Sequence, residues 1–166
     1  GALTQSGDIA LDIATGTGDF AIELARQSTV TESVGVDSTE AMISQALETG
    51  RSIGVLVTFL PTVASLKREI QEIANLMNLE QPKVVICFVE GAIEALKVGN
   101  LVEHDDLIVK QSTQLIDCDV IILAQFSMAH LVNEVKNITK TNVISSPDPA
   151  VLLLRNKLEN TLLGEK

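Results

Sequence analysis

One short segment near the start of the chain has the residue types and spacing of a ligand-binding turn. The run Leu11 to Asp19 reads Leu-Asp-Ile-Ala-Thr-Gly-Thr-Gly-Asp, so an apolar strand ends in a turn that carries two glycines. Such a turn brings backbone N–H groups close to a ligand at the carboxyl end of a strand. We therefore expect Thr15, Gly16, Thr17 and Gly18 to contact a ligand, with a tight strand-to-helix turn as the alternative interpretation.

Hydroxyl and amide side chains stand at or just after the ends of later apolar runs. Thr58 and Thr62 close one run, Gln125 and Ser127 follow another, and Ser146 ends the last. Neutral polar groups at strand ends suit a small anionic ligand such as a carboxylate. The alternatives are structural, because Thr62 could cap a helix and Gln125 could open one.

These residues are positioned by a regular alternation of strands and helices. Apolar runs predict six strands, at 9–14, 33–37, 53–59, 83–89, 119–124 and 142–146. Helices are expected at 19–27, 38–47, 61–77, 91–98, 104–116, 125–138 and 148–163. Gly50 and Gly99 stand where helix-closing glycines are expected. Strands that are apolar throughout and alternate with helices predict an α/β fold with a parallel, doubly wound sheet.

Composition excludes several classes of function. The 166 residues suffice for one domain or two small lobes, and the net charge of −10 opposes binding to nucleic acid. No apolar run approaches the ~20 residues of a membrane span, and no signal segment is visible, so we expect a cytoplasmic protein.

Cys87 and Cys118 lie in or beside apolar runs and are expected to be buried free thiols. No spacing of His, Cys and Asp indicates a metal site.

The N-terminal segment resembles a known cofactor-binding family. Residues 11–19, together with Val34-Gly35-Val36-Asp37, resemble the first two motifs of class I S-adenosylmethionine methyltransferases. The resemblance covers roughly residues 9–48. It implies that the glycine turn approaches the methionine part of the cofactor and that Asp37 receives the ribose hydroxyls. An aspartate at this position could equally cap the next helix. S-adenosylmethionine is therefore the alternative cofactor, and a methyltransferase the alternative function.

A longer part of the chain resembles the aspartate/glutamate/hydantoin racemase superfamily. Four stretches carry this resemblance, at 37–56, 58–62, 89–92 with 104–106, and 119–129 with 145–147. It implies an incomplete first lobe at 1–50, joined by a C-terminal helix at 148–166, and a second lobe at 51–147. It also implies that Thr58 and Thr62 receive a substrate carboxylate. The function implied is a cofactor-independent isomerase that acts on an amino acid or a related small carboxylate.

The chain departs from the racemase pattern at the catalytic positions. That family uses two cysteines on opposite faces of the substrate Cα, and the corresponding places here fall near Thr15 and at Gln125. These two are the candidate catalytic residues, yet glutamine does not titrate and threonine is too weak an acid. Two-base racemisation is therefore not expected, and a non-catalytic binder of a small carboxylate is a further alternative. His104 and His130 fit a charged first helical turn and a helix body better than catalysis.

The racemase pattern also has further β/α units before the segment that begins this chain. We therefore expect either a chain that is truncated at its N-terminus or a homo-oligomer in which another protomer completes the first lobe. An exposed sheet edge is a liability that such pairing would cover.

Overall fold

Parallel strands form the framework of this protein, seen in a computed structural model that describes residues 8–13, 30–36 and 38–146. A two-stranded sheet contains β1 (Asp8–Ile13) and β2 (Val30–Val36). A four-stranded sheet contains β3 (Ser52–Val57), β4 (Lys83–Phe88), β5 (Val120–Leu123) and β6 (Asn142–Ser145), in the order β4-β3-β5-β6. Every pairing is parallel, so the prediction of a parallel α/β fold is confirmed.

Helices cover both faces of the four-stranded sheet. They are α1 (Ser38–Thr49), α2 (Thr62–Leu76), α3 (Ala92–Lys97), α4 (Leu101–Ser112) and α5 (Val132–Thr139), with 3₁₀ helices at Thr113–Leu115 and Phe126–Leu131. None of these helices is long and apolar enough to cross a membrane. The predicted helices at 19–27 and 148–163 lie outside the described residues.

Side chains along the buried strands alternate between the two faces of the sheet, and two separate cores result. In β3, Ile53 and Val55 join the core beneath α1 and α2, whereas Leu56 joins the core beneath α3, α4 and α5. All three side chains are fully buried, and burial of each contributes roughly 1.5–3 kcal/mol. Successive side chains of a strand point to opposite faces, so β3 serves both cores at once. The sheet is therefore doubly wound, as predicted.

The predicted domain boundary at residue 50 stays a prediction. The helix just before it, α1, packs on the four-stranded sheet, and its buried residues Met42, Ile43 and Leu47 belong to the same core as β3. The N-terminal side of the proposed boundary thus contributes directly to the core of the second unit.

Helix α4 begins three residues before the predicted start at His104, because Asn100 caps it. The Asn100 Oδ1 accepts a hydrogen bond from the Glu103 backbone N–H at 3.3 Å, and its Nδ2 donates to Glu103 Oε2 at 2.8 Å. His104 is consequently the fourth residue of the helix, at the end of its first turn, and its side chain is fully buried, which the sequence did not predict.

The predicted continuous helix at 125–138 is also wrong at its start. Gln125 has an extended backbone (φ −116°, ψ 147°), and the chain then forms the 3₁₀ helix before α5 begins. Met128 and Leu131 are both buried and stand three residues apart. That spacing matches the three-residue turn of a 3₁₀ helix, so burial of these two side chains favours the tighter geometry.

A single carboxylate ties the end of α1 to the sheet. The Asp119 Oδ2 accepts hydrogen bonds from the backbone N–H groups of Ser52 and Arg51, each at 2.8 Å, and these bonds hold the pKa of Asp119 below its ordinary value. Gly50 closes α1, as expected from its position, by donating its N–H to the Ala46 carbonyl at 3.1 Å. Its φ is not positive, however. Glycine is required there because a Cβ atom would overlap the Asp119 side chain, with Cγ at 2.9 Å.

Replacement Gly50→Ala should lower the free energy of unfolding by about 1–3 kcal/mol, the usual cost of forcing an atom into packed structure. Denaturant titration followed by circular dichroism would measure the loss. The exposed neighbour Glu48 provides the control, since Glu48→Ala should change stability by no more than about 0.5 kcal/mol. Equal stability of the two variants would contradict the close approach of Gly50 to Asp119.

Candidate ligand-binding site

The order of the four strands creates a crevice at one edge of the sheet. Strands β3 and β5 are neighbours but are not consecutive in the chain. The chain leaves β3 through α2 on one face and leaves β5 through α5 on the other face, towards opposite edges of the sheet. Where crossovers diverge in this way, ligands bind outside the carboxyl ends of the two strands.

Thr58 and Gln125 meet at this crevice. The Thr58 backbone N–H donates a hydrogen bond to Gln125 Oε1 at 3.0 Å, and the Thr58 hydroxyl lies 3.5 Å from the same oxygen. Thr58 is only 3% exposed, so its N–H has little access to water as a substitute partner. The bond fixes the orientation of the carboxamide: Oε1 is the acceptor, and Nε2 is the group that remains to donate.

A cavity of about 250 Å³ adjoins Gln125. Its lining comes from the start of α1, from one face of α2 and from the residues that follow β5: Thr39, Thr62, Ser65, Leu66, Glu69, Ala124 and Gln125. Thr62 was predicted from the sequence, whereas Ser65 and Glu69 were missed. Their positions three and seven residues after Thr62 lie on the same helical face, so helical periodicity applied to Thr62 would have found them.

The hydrogen bonds of the lining determine what the cavity can offer. Thr62 Oγ1 donates to the Phe59 carbonyl at 2.7 Å, and Ser65 Oγ donates to the Thr62 carbonyl at 2.9 Å. Because both hydroxyl protons are used, these oxygens are available as acceptors, while the Gln125 amide supplies a donor. No Cys, His or Lys is among the lining residues described. The arrangement can bind and orient a small polar molecule, but among the residues described it contains no thiol, imidazole or amine that could move a proton near neutral pH.

The other predicted site residues are not brought into this cavity. Ser146 follows β6 at the same sheet edge, one strand beyond β5, and is buried without lining the cavity. Ser127 lies in the 3₁₀ helix and also does not line it. The predicted turn Thr15-Gly16-Thr17-Gly18 and Asp37 lie outside the described residues. The role of each of these residues in binding stays a prediction.

Both cysteines are buried and free, as expected. Cys87 lies within β4 and donates its S–H to Gln114 Oε1 at 3.3 Å. Burial is the main cause that raises the pKa of the Cys87 thiol. Cys118 precedes β5, and Cys87, the second-last residue of β4, belongs like Cys118 to the core beneath α3, α4 and α5. Among the residues that the structure describes, no group of three or more His, Cys, Asp or Glu could hold a metal ion.

A second polar cluster, not foreseen from the sequence, joins α4 to the 3₁₀ helix after Gln125. The Asp105 carboxylate lies 2.7 Å from His104 Nδ1 through Oδ1 and 2.8 Å from His130 Nε2 through Oδ2. Burial acts to raise the pKa of Asp105, but the hydrogen bonds from His130 and His104 outweigh it and lower that pKa. Because His130 is 25 residues away in the chain, only the tertiary structure reveals the cluster.

Comparison with protein families gives a match along most of the chain. A family model described as a methyltransferase domain matches residues 4–153. A curated relative, carboxy-S-adenosyl-L-methionine synthase from Nautilia profundicola, is 40% identical over 53 residues. That alignment covers 32% of this chain and 23% of the relative, so the chain matches less than a quarter of that protein's length.

Comparison with solved structures finds a similar fold in a different group of proteins, the racemases. The glutamate racemase isoform RacE1 from Bacillus anthracis is similar with a TM-score of 0.61 and 16% identity, over 91% of this chain and 58% of that one. The allantoin racemase from Pseudomonas fluorescens is similar with a TM-score of 0.54 and 24% identity, over 78% and 53%. The chain thus spans little more than half of each racemase. At these identities the similarity establishes a racemase-like fold.

Replacement Gln125→Leu should destabilise the protein by about 1–3 kcal/mol, because the buried Thr58 N–H loses its acceptor. The matched control is Gln125→Glu, which keeps an oxygen at the same place and should retain most of the stability. Equilibrium unfolding in urea would compare the two variants. Similar losses for leucine and glutamate would show that the Thr58 to Gln125 hydrogen bond contributes little.

Proposed function

The chain belongs to the methyltransferase-domain family, and from this premise we propose that it binds S-adenosylmethionine at the carboxyl edge of the sheet formed by β1 and β2. When bound, that cofactor supplies an activated methyl group. Transfer of this group to a small acceptor is accordingly the proposed activity.

The observation that carries the proposal is the register of β1 and β2. The strands are parallel, and Ile13 is the partner of Val36 at their carboxyl ends. The glycine turn follows Ile13 and Asp37 follows Val36, so the chain leaves both strands at the same edge of the sheet. This juxtaposition fits an elongated ligand that needs backbone donors at one end and a carboxylate at the other.

The residue types on this edge fit the chemical groups of S-adenosylmethionine. Gly16 and Gly18 have no side chains that would keep a ligand from the backbone, and a turn that opens a helix, as the sequence predicts for residues 15–18, favours a negatively charged group such as the methionine carboxylate. A carboxylate such as Asp37 can accept two hydrogen bonds from the ribose diol. The similarity to a carboxy-S-adenosyl-L-methionine synthase agrees in chemistry with this proposal.

A second candidate function is favoured by the crevice between β3 and β5. The racemase-like fold, the cavity and the hydrogen bond between Thr58 and Gln125 together support binding of an amino acid or a related small polar molecule. Isomerisation by two thiols is less well supported, because the resemblance places one of the two cysteines near Gln125, where none is present, and because both thiols are buried in the core. We therefore propose a ligand-binding role for this crevice without two-base racemisation.

Asp37→Ala should weaken binding of S-adenosylmethionine by about tenfold or more, since hydrogen bonds to a charged group contribute roughly 1.5–3 kcal/mol. Isothermal titration calorimetry would measure the affinity. The matched control is Asp117→Ala, which removes an exposed aspartate of the four-stranded unit and should leave affinity unchanged. Absence of binding by the unaltered protein, or equal affinities of both variants, would refute the proposal.

The unaltered protein should not exchange the Cα hydrogen of aspartate or glutamate for deuterium from solvent, because neither Gln125 nor the 15–18 turn offers a base near pH 7. Proton NMR in heavy water would detect exchange. Gln125→Cys would restore one thiol and could produce exchange but not full racemisation. Rapid exchange by the unaltered chain would show that another residue serves as the base.

A further inference from the structure

We infer that Asp105 is a positioning residue for Gln125, acting through His130 and the 3₁₀ helix at 126–131. The inference rests on the proposed ligand-binding role of the crevice, because positioning matters there only if Gln125 meets a ligand. A chain of contacts leads from His104 in the core, through Asp105 and His130, to the Thr58 N–H.

The inner end of this chain is His104. Its side chain has no exposed surface, and Nδ1 lies 2.7 Å from Asp105 Oδ1. An ionised carboxylate can only accept, so Nδ1 carries the hydrogen. Nε2 is buried and has no partner among the described residues. His104 thus holds one oxygen of Asp105 from the core side.

The outer end is His130, whose side chain is 55% exposed. Its Nε2 donates to the second oxygen of Asp105 at 2.8 Å. Because the two oxygens of one carboxylate are held from opposite sides, the carboxylate cannot rotate without losing a hydrogen bond. Asp105 therefore fixes the position of His130 relative to α4.

Only a short helix separates His130 from Gln125. Gln125 is the residue before Phe126–Leu131, and its carbonyl accepts a hydrogen bond from the Met128 N–H at 3.0 Å. Burial of Met128 anchors the same segment. A displacement of His130 away from α4 would thus be transmitted along fewer than two turns to the backbone that carries the Gln125 side chain, and so to its contact with Thr58.

Amide hydrogen exchange offers a direct test that requires no ligand. The Thr58 N–H reports on the Gln125 side chain, whereas the Ala124 N–H, which donates to the Leu56 carbonyl at 3.1 Å, reports on the pairing of β3 with β5. In Asp105→Ala, exchange at Thr58 should accelerate about tenfold relative to Ala124, as expected when an opening becomes easier by about 1.4 kcal/mol. His130→Ala should have the same effect.

Two variants serve as controls. Asp105→Asn keeps one oxygen to accept from His104 and supplies an amide N–H that can donate to a His130 ring nitrogen, and it should restore protection of Thr58. Asp106→Ala removes an exposed neighbour on the same helix and should change neither amide. Unchanged exchange at Thr58 in Asp105→Ala would overturn the inference, as would equal acceleration at Thr58 and Ala124 or failure of Asp105→Asn to restore protection. A failure of ligand binding in the crevice would instead leave these exchange rates unaffected and would count against the proposed function alone.

Discussion

The parallel pairing of β3 with β5 is the constraint on which the four-stranded unit depends. These strands are neighbours in space but not in the chain, and the connections that leave their carboxyl ends, α2 after β3 and α5 after β5, lie on opposite faces of the sheet. Two cores follow from this, each built by alternate residues of the same strands. The crevice follows as well, since diverging crossovers leave the carboxyl ends of β3 and β5 uncovered. Thr58 and Gln125 meet there as a direct consequence of topology.

The architecture could be predicted from the sequence because it depends on short apolar runs that alternate with helical segments along the chain. Strand β5 is a continuous run of Val, Ile and Leu, and β3 is made of the same residues apart from Ser52 and Gly54, as burial on both faces favours. Helix starts were harder to predict. Asn100 could close one helix or cap the next, and only its hydrogen bonds with Glu103 decide the matter. Gln125 stays outside a helix because its side chain turns to Thr58, a partner 67 residues away.

The candidate site was foreseen only in part, for the same reason. Strand ends pointed to Thr58 and Gln125, and helical spacing from Thr62 would have added Ser65 and Glu69. The cluster of His104, Asp105 and His130 could not be found in this way, because it joins separate segments through the fold. The expected homo-oligomer concerns contacts beyond a single chain, and it stays a prediction.

The two functional proposals place ligands at two comparable edges of parallel strands. At the edge of β1 and β2 the ligand would meet the glycine turn and Asp37, and at the edge of β3 and β5 it would meet a carboxamide and hydroxyl oxygens. Family membership favours the first edge, and the fold similarity with its cavity favours the second.

The most direct test is an NMR titration of the uniformly ¹⁵N-labelled protein with S-adenosylhomocysteine. Shifts concentrated at the amides of residues 14–18 and 37 are the predicted result. Shifts confined to Thr58 and Gln125, or no shifts at millimolar ligand, would contradict it.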